Sequence, residues 1–166
     1  AFAIFGRNRL NKPITDYVSD SRSNQLSGDP HAFVYISNRV NLEQPATSLK
    51  VFVASYRDAS ADFRVMYRLF KADSSEIEQS YISFPGYDNM NDTNNDGFGD
   101  IVINSSKNSG RADAIIAPSN LDEFNEYQFS IDNLEQFTGY QIKLVANGSD
   151  EARAPRFKDL RAIALA

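Results

Sequence analysis

The residue types and spacing best suited to chemistry lie in one run, Asp92-Thr93-Asn94-Asn95-Asp96-Gly97-Phe98-Gly99-Asp100. Oxygen-bearing side chains alternate, then a glycine permits a sharp turn and another aspartate follows. This is the donor pattern that calcium prefers, about six to eight hard oxygens. Asp92, Asn94 and Asp96 offer side chains, Phe98 a backbone carbonyl, and Asp100 a further carboxylate directly or through water. The spacing follows the first half of an EF-hand-like loop and departs at the twelfth position, where Ile103 stands in place of the bidentate acid. Without that acid the run is nearer to the DxDxDGxGD repeats of extracellular proteins. The cofactor expected on these residues is a structural Ca²⁺ that neutralises mutually repelling carboxylates and pins a long loop. The same letters also suit an unliganded link, because Asp, Asn and Gly tolerate positive φ and form Asx turns.

Other chemistry has less support. Asp58, Asp62, Asp73, Glu76 and Glu78 fall in links between strands, where a carboxylate pair for glycoside hydrolysis would sit. With 22 acidic residues in the chain, chance neighbours are expected. No GxSxG elbow supports a nucleophilic serine, and the single histidine, His31, reads as a hydrogen-bonded surface group. Cysteine is absent, which removes disulfides, thiolate nucleophiles and zinc–cysteine sites together. The chain is therefore expected not to be an enzyme. Eight tyrosines and 12 phenylalanines, with no tryptophan, suit a sheet-on-sheet core. Tyr81, Phe84 and Tyr87 flank Pro85-Gly86 outside the strong strand patterns. They are the aromatic residues expected to be exposed, for a protein interface or a glycan.

Charge limits the partners. A formal net charge of -5 and a pI near 4.9 do not suit a phosphate backbone, and the basic residues are scattered. No apolar run approaches the roughly 18 residues needed for a membrane span. There is no initiator methionine and no signal-like leader, so the chain reads as a processed product or a piece of a longer polypeptide.

The elements that would position these residues are strands. Over 49–56, Leu49, Val51 and Val53 alternate with Lys50, Phe52 and Ala54, and apolar character on both faces predicts a central strand. Over 63–70, Phe63, Val65, Tyr67 and Leu69 oppose Arg64, Met66, Arg68 and Phe70. The short polar link between the two runs predicts an antiparallel hairpin. Further strands are expected over 32–37, 127–131, 140–146 and 157–165, with single helical turns near 75–78 and 119–125. Pro45, Pro85, Pro118 and Pro155 are placed between strands. Arg64, Arg68, Lys143 and Arg161 are read as charged protection for sheet edges. The expected class is all-β: an antiparallel β-sandwich, jelly-roll-like, with one long Asp/Asn/Gly-rich loop over 86–113. Residues 1–30, apolar over 2–5 and then polar, read as an arm or linker from an upstream region, and 31–166 as the sandwich domain.

Several stretches together resemble a known module. They are Pro13-Ile14-Thr15-Asp16-Tyr17-Val18 with Asp29-Pro30-His31-Ala32-Phe33, Ala46-Thr47-Ser48-Leu49-Lys50-Val51, and Phe63-Arg64-Val65-Met66-Tyr67-Arg68-Leu69-Phe70. Glu126-Tyr127-Gln128-Phe129, Phe137-Thr138-Gly139-Tyr140-Gln141-Ile142-Lys143, and the ending from Pro155-Arg156-Phe157 to Leu165-Ala166 complete the set. This set is similar to a C-terminal module of virion structural proteins of T4-like marine cyanophages, which are myoviruses. The resemblance covers most of 13–166 and brings no catalytic residues. It implies a non-enzymatic part of the virion, in the tail, baseplate or tail fibre region, that joins other virion proteins in repeated copies or as a homo-oligomer. The alternative is a receptor- or glycan-binding adhesion module of the tail, recognising a host surface glycan.

Overall fold

The computed structural model describes residues 2–3, 31–71, 80–86, 89–91, 100–102, 110–120, 122–148 and 150–166. Twelve strands follow one another: β1 (Phe2–Ala3), β2 (Phe33–Ile36), β3 (Val40–Ala46), β4 (Ser48–Tyr56), β5 (Ala61–Phe70) and β6 (Ile82–Ser83), then β7 (Asn89–Asn91), β8 (Asp100–Val102), β9 (Ala114–Ile116), β10 (Asn125–Ile131), β11 (Phe137–Gly148) and β12 (Arg156–Leu165). A single 3-10 turn, Glu151–Arg153, lies between β11 and β12 among the described residues. Every pairing is antiparallel.

One sheet, sheet A, has the order β1-β12-β4-β10-β9. Sheet B has the order β2-β11-β5-β6, with β3 also paired to β11, and β7 pairs with β8 in a separate two-stranded sheet. The chain is thus an all-β sandwich, as its alternating residues require. Leu49, Val51 and Val53 of sheet A and Phe63, Val65, Tyr67, Ile142 and Leu144 of sheet B share one buried cluster between the sheets. Phe63 is its aromatic centre, edge-on to Tyr127 at 4.9 Å and to Phe157 at 5.2 Å.

The expected β4–β5 hairpin does not form. β4 lies in sheet A between β12 and β10, whereas β5 lies in sheet B beside β11. The apolar faces of the two strands meet across the core and not side by side. The link over 57–60 crosses the gap with its own local bonds. The Asp58 carboxylate accepts from Ser60 N at 3.1 Å, and Ala61 N donates to the Asp58 carbonyl at 3.0 Å.

Other expectations are also revised. Pro45 lies inside β3, which pairs with β11 only at Val40, Asn41 and Ala46 around a register shift, so its missing N–H breaks no ladder bond. No helical turn forms at 119–125 among the described residues. Asp122 accepts from Phe124 N at 3.2 Å in an Asx turn, and β10 starts at Asn125. The single turn expected at 75–78 lies outside the described residues. Within the long polar segment, β7 and β8 pair, which adds regular structure to a stretch read as one loop. Most of the 1–30 arm is also outside the described residues, and its Phe2 and Ala3 pair with Phe157 and Arg156 of β12.

β2 and β3 run in succession along β11, pairing with Lys143–Ala146 and then back to Phe137. The break between them is held by Ser37, whose N–H donates to the Ile142 carbonyl at 2.9 Å and whose hydroxyl accepts from Ile142 N at 3.0 Å. At Gly139 a Cβ would stand 3.0 Å from the Val40 carbonyl, so glycine permits the close approach of β3 to β11.

Candidate docking surfaces

The two sheets turn very different outer faces away from the core. On sheet A, the register places Arg161 opposite Phe52, Arg156 opposite Tyr56 and Ile163 opposite Lys50. It also places Glu126 opposite Ala54 and Gln128 opposite Phe52. Directly opposed residues share a face, so these side chains all point outward. Ion pairs bridge across the central strand. Arg161 of β12 reaches Glu126 of β10 and also Asp159 at 3.0 Å, while Arg156 pairs with Glu123 and Lys158 with Asp122.

These cations lie over rings. The Arg161 guanidinium is 5.4 Å from the Phe52 ring centroid, Arg156 is 4.6 Å from Tyr56, and the Lys158 ammonium is 5.6 Å from Phe124. Asp122 is fixed as a carboxylate: hydrogen bonds from Lys158 and the Phe124 N–H hold its pKa below the usual 3.8. Ile163, Leu165 and Ile116 add exposed apolar area. The face is exposed and charged, with aromatic rings beneath the charges.

A second exposed region is β2. Val34, Tyr35 and Ile36 are between 37% and 39% exposed, an apolar strand at the side of sheet B. An apolar outer strand of this kind presents area that neighbouring chains can cover.

The outer face of sheet B is buried over β11 and β5. Lys143 is 1% exposed and Arg64 3%, beside Met66, Val145 and Tyr81. Arg64 and Lys143 therefore do not guard edges. They sit on interior strands, where their stems pack against apolar neighbours and Lys143 stands 5.1 Å from the Tyr81 ring.

Tyr81 and Phe84 are corrected as well: at 1% and 0% exposure neither forms an aromatic platform. The Tyr81 hydroxyl donates to Gln141 Oε1 at 3.1 Å, an oxygen that also accepts from Arg68 Nε at 2.6 Å. Burial raises the Tyr81 pKa, and the charge of Arg68 opposes that rise. Phe84 packs edge-on against Tyr67 at 4.9 Å and near Phe129. Its backbone pairs with Gly110, a position that suits glycine because its φ is +69° and an added Cβ would stand 3.1 Å from Arg64 Cβ. Tyr87 lies outside the described residues.

Of the expected calcium ligands, Asp92, Asn94, Asp96 and Phe98 lie outside the described residues. Asp100 is in β8, its backbone opposite Asn91 of β7. That pairing sets Asn91 and Asp100 opposite each other. Among the remaining acids, Asp58 pairs with Arg153 at 3.1 Å. The Ser60 backbone N–H and hydroxyl lower its pKa. Asp62 pairs with Arg64 and lies 4.0 Å from Arg57, while Asp73, Glu76 and Glu78 lie outside the described residues. His31 is buried, 5% exposed, and not at the surface as expected. Next to it, Ala32 N donates to Asn147 Oδ1 at 2.9 Å and fixes the start of β2 against the end of β11. Among the described residues, no group of three or more potential metal ligands converges.

The docking face was partly visible in the sequence. Arg161 stood out as a charged strand residue, but Glu123 and Glu126 carried no local signal, because their pairing reaches across β4 to β12. Comparison with protein-family models, with curated proteins and with solved structures finds no match in any of the three.

Proposed function

We propose that this chain is a non-enzymatic virion structural module of a T4-like cyanophage, built into the tail, baseplate or fibre region and joined to other virion proteins. The observation that carries this reading is the character of the surface. Among the described residues, Arg156, Lys158 and Arg161 are tied into ion pairs, and Arg64 and Lys143 are buried. Exposed apolar side chains include Tyr56, Ile163 and Leu165 on the broad face of sheet A and Val34, Tyr35 and Ile36 along β2. Such surfaces suit contact with other macromolecules.

The strand pairing supports a jelly-roll reading. β1 pairs with β12, β2 and β3 with β11, β4 with β10, and β5 with β6, which is one long antiparallel ribbon. Rolling that ribbon adds the pairs β12–β4 and β11–β5. Double-sheet jelly rolls recur in viral capsid and lectin domains, an analogy of fold that favours virion and glycan readings alike. Burial of Tyr81 and Phe84 takes two aromatic residues from the glycan reading. A structural Ca²⁺ belongs to the same proposal. Asp92, Asn94, Asp96 and Asp100 are hard oxygen donors in sequence positions that suit calcium, and Asp100 lies opposite Asn91 in the β7–β8 pair.

The test is localisation on the particle. Gold-labelled antibody against the purified chain is expected to mark the tail or baseplate of intact virions, while a glycan array shows no selective binding. Calorimetry is expected to detect calcium binding that Asp96→Asn weakens. Unlabelled particles overturn the virion role; labelled tail tips with selective glycan binding replace assembly by adhesion.

A further inference from the structure

We infer that the outer face of sheet A docks against the same face of a second copy of this chain, about a two-fold axis parallel to β4. This deepens the assembly reading, on which it rests, by naming the partner and the contact. The outer face of sheet A carries both signs of charge. On this face, among the described residues, Arg156, Lys158 and Arg161 pair with Asp122, Glu123, Glu126 and Asp159, Lys50 stands on β4, and Asp113 is bonded to Ser130 of β10. The whole chain carries -5. Two copies repel overall, so a face that docks on its own copy must set opposite charges against each other.

The two signs of charge are sorted in space. Across the sheet the order is β12, β4, β10. The side of β12 carries Arg156, Lys158 and Arg161, positive even with Asp159 among them. The side of β10 and the chain leading into it carries Asp122, Glu123 and Glu126. β4, with Phe52 and Tyr56, forms the midline.

This arrangement chooses between the two-fold axes that can stack one sheet face upon its copy. An axis in the interface and perpendicular to the strands sets β12 over β12, basic on basic. An axis parallel to β4 sets β12 over the partner copy's β10, basic on acidic, and β4 over β4. The second contact is isologous and self-complementary. It also stacks the sheets with aligned strands, the common geometry of face-to-face packing. Because exposed intramolecular pairs hold little energy, exchanging partners across the interface opposes docking only weakly.

Sedimentation of the whole chain over a range of concentrations is expected to show a dimer that dissociates on dilution and as salt is raised. A monomer throughout overturns the inference. Arg161→Glu and, separately, Glu126→Arg place like charges across the interface and are expected to weaken the dimer by about 100-fold. The double variant restores complementarity and is expected to regain most of that loss. A double variant that melts like the parent yet stays monomeric overturns the stripe pairing.

Because the chain has no cysteine, single-cysteine variants report the geometry cleanly. Ala54→Cys on the midline is expected to cross-link through a short bismaleimide, whereas Ile82→Cys on sheet B is not. Equal cross-linking of both overturns the assigned face. A stable monomer that antibody still locates on the tail removes the two-fold and leaves the assembly role standing. A salt-sensitive dimer absent from the virion does the reverse.

Discussion

The outer faces of the two sheets carry similar residue types and use them in opposite ways. Sheet A holds Arg156, Lys158 and Arg161 in water, paired with acids across the strands and lying over Phe52, Tyr56 and Phe124. Sheet B buries Arg64 and Lys143 beside Met66, Tyr81 and Val145. An aromatic ring lies beside a cation in both places. In sheet B the lysine stem replaces a core side chain and its charge stands in a poorly hydrated setting. In sheet A the stems shield rings while the charges keep their hydration. A cation on a strand thus says little by itself about exposure; what packs against the sheet decides.

Matched substitutions can break or sharpen this contrast. The largest difference is expected between tyrosines. Tyr81→Ala removes a ring with 1% exposure and is expected to cost about 3 kcal/mol or more, whereas Tyr56→Ala, from a site 36% exposed, costs less than about 1 kcal/mol. Urea denaturation measures both, and equal costs would remove the distinction between the faces. Next come the cations. Lys143→Ala deletes a buried stem and its cation–ring contact and is expected to cost about 2 kcal/mol, against roughly 0.5 kcal/mol or less for Arg161→Ala. Chemical denaturation at low and high salt should move the Arg161 comparison and leave that of Lys143 nearly unchanged.

The smallest effect lies with carboxylates. Burial raises the pKa of Asp113, the Ser130 hydrogen bonds oppose the rise, and Asp132 adds to it. Its protonated form is therefore favoured in the folded chain. Its contribution to stability is fullest below 3.8 and declines as pH rises through the folded-state value. Asp113→Asn is expected to stabilise the chain by roughly 0.5 kcal/mol at neutral pH, with the gain fading as pH falls toward 3.8. Asp122 has the opposite sign. Its lowered pKa gives a contribution present above 3.8 and lost as pH falls through the folded-state value. Asp122→Asn should accordingly flatten the acid limb of melting temperature against pH, while Asp113→Asn steepens it.

Several parts of this molecule were legible in advance. Period-two patterning placed β4, β5, β10, β11 and β12 to within a few residues, and the two apolar faces of 49–56 marked a central strand. Leu144 and Ile142 pointed inward and Lys143 and Val145 outward, as their alternation required. Partnership was not legible. The short link after β4 resembled a hairpin turn, yet β5 belongs to the opposite sheet, because joining facing sheets and joining neighbouring strands both need only a short polar segment. Tyr81 and Phe84 lacked a strong strand pattern and suggested exposure. Their burial comes from contacts with Gln141, Tyr67 and Phe129, all distant in sequence. The calcium pattern was readable as donor chemistry, and of its ligand positions only the backbone of Asp100 falls among the described residues.

Sequence alone determined the class of this protein, because side-chain alternation along an extended chain is a local property that needs no knowledge of neighbours. It also determined the net charge and the absence of cysteine chemistry. Tertiary structure alone decided which strands pair, which basic residues are buried and which acids meet them. Those outcomes depend on distant segments competing for the same apolar surface and the same hydrogen bonds, and no local pattern encodes that competition.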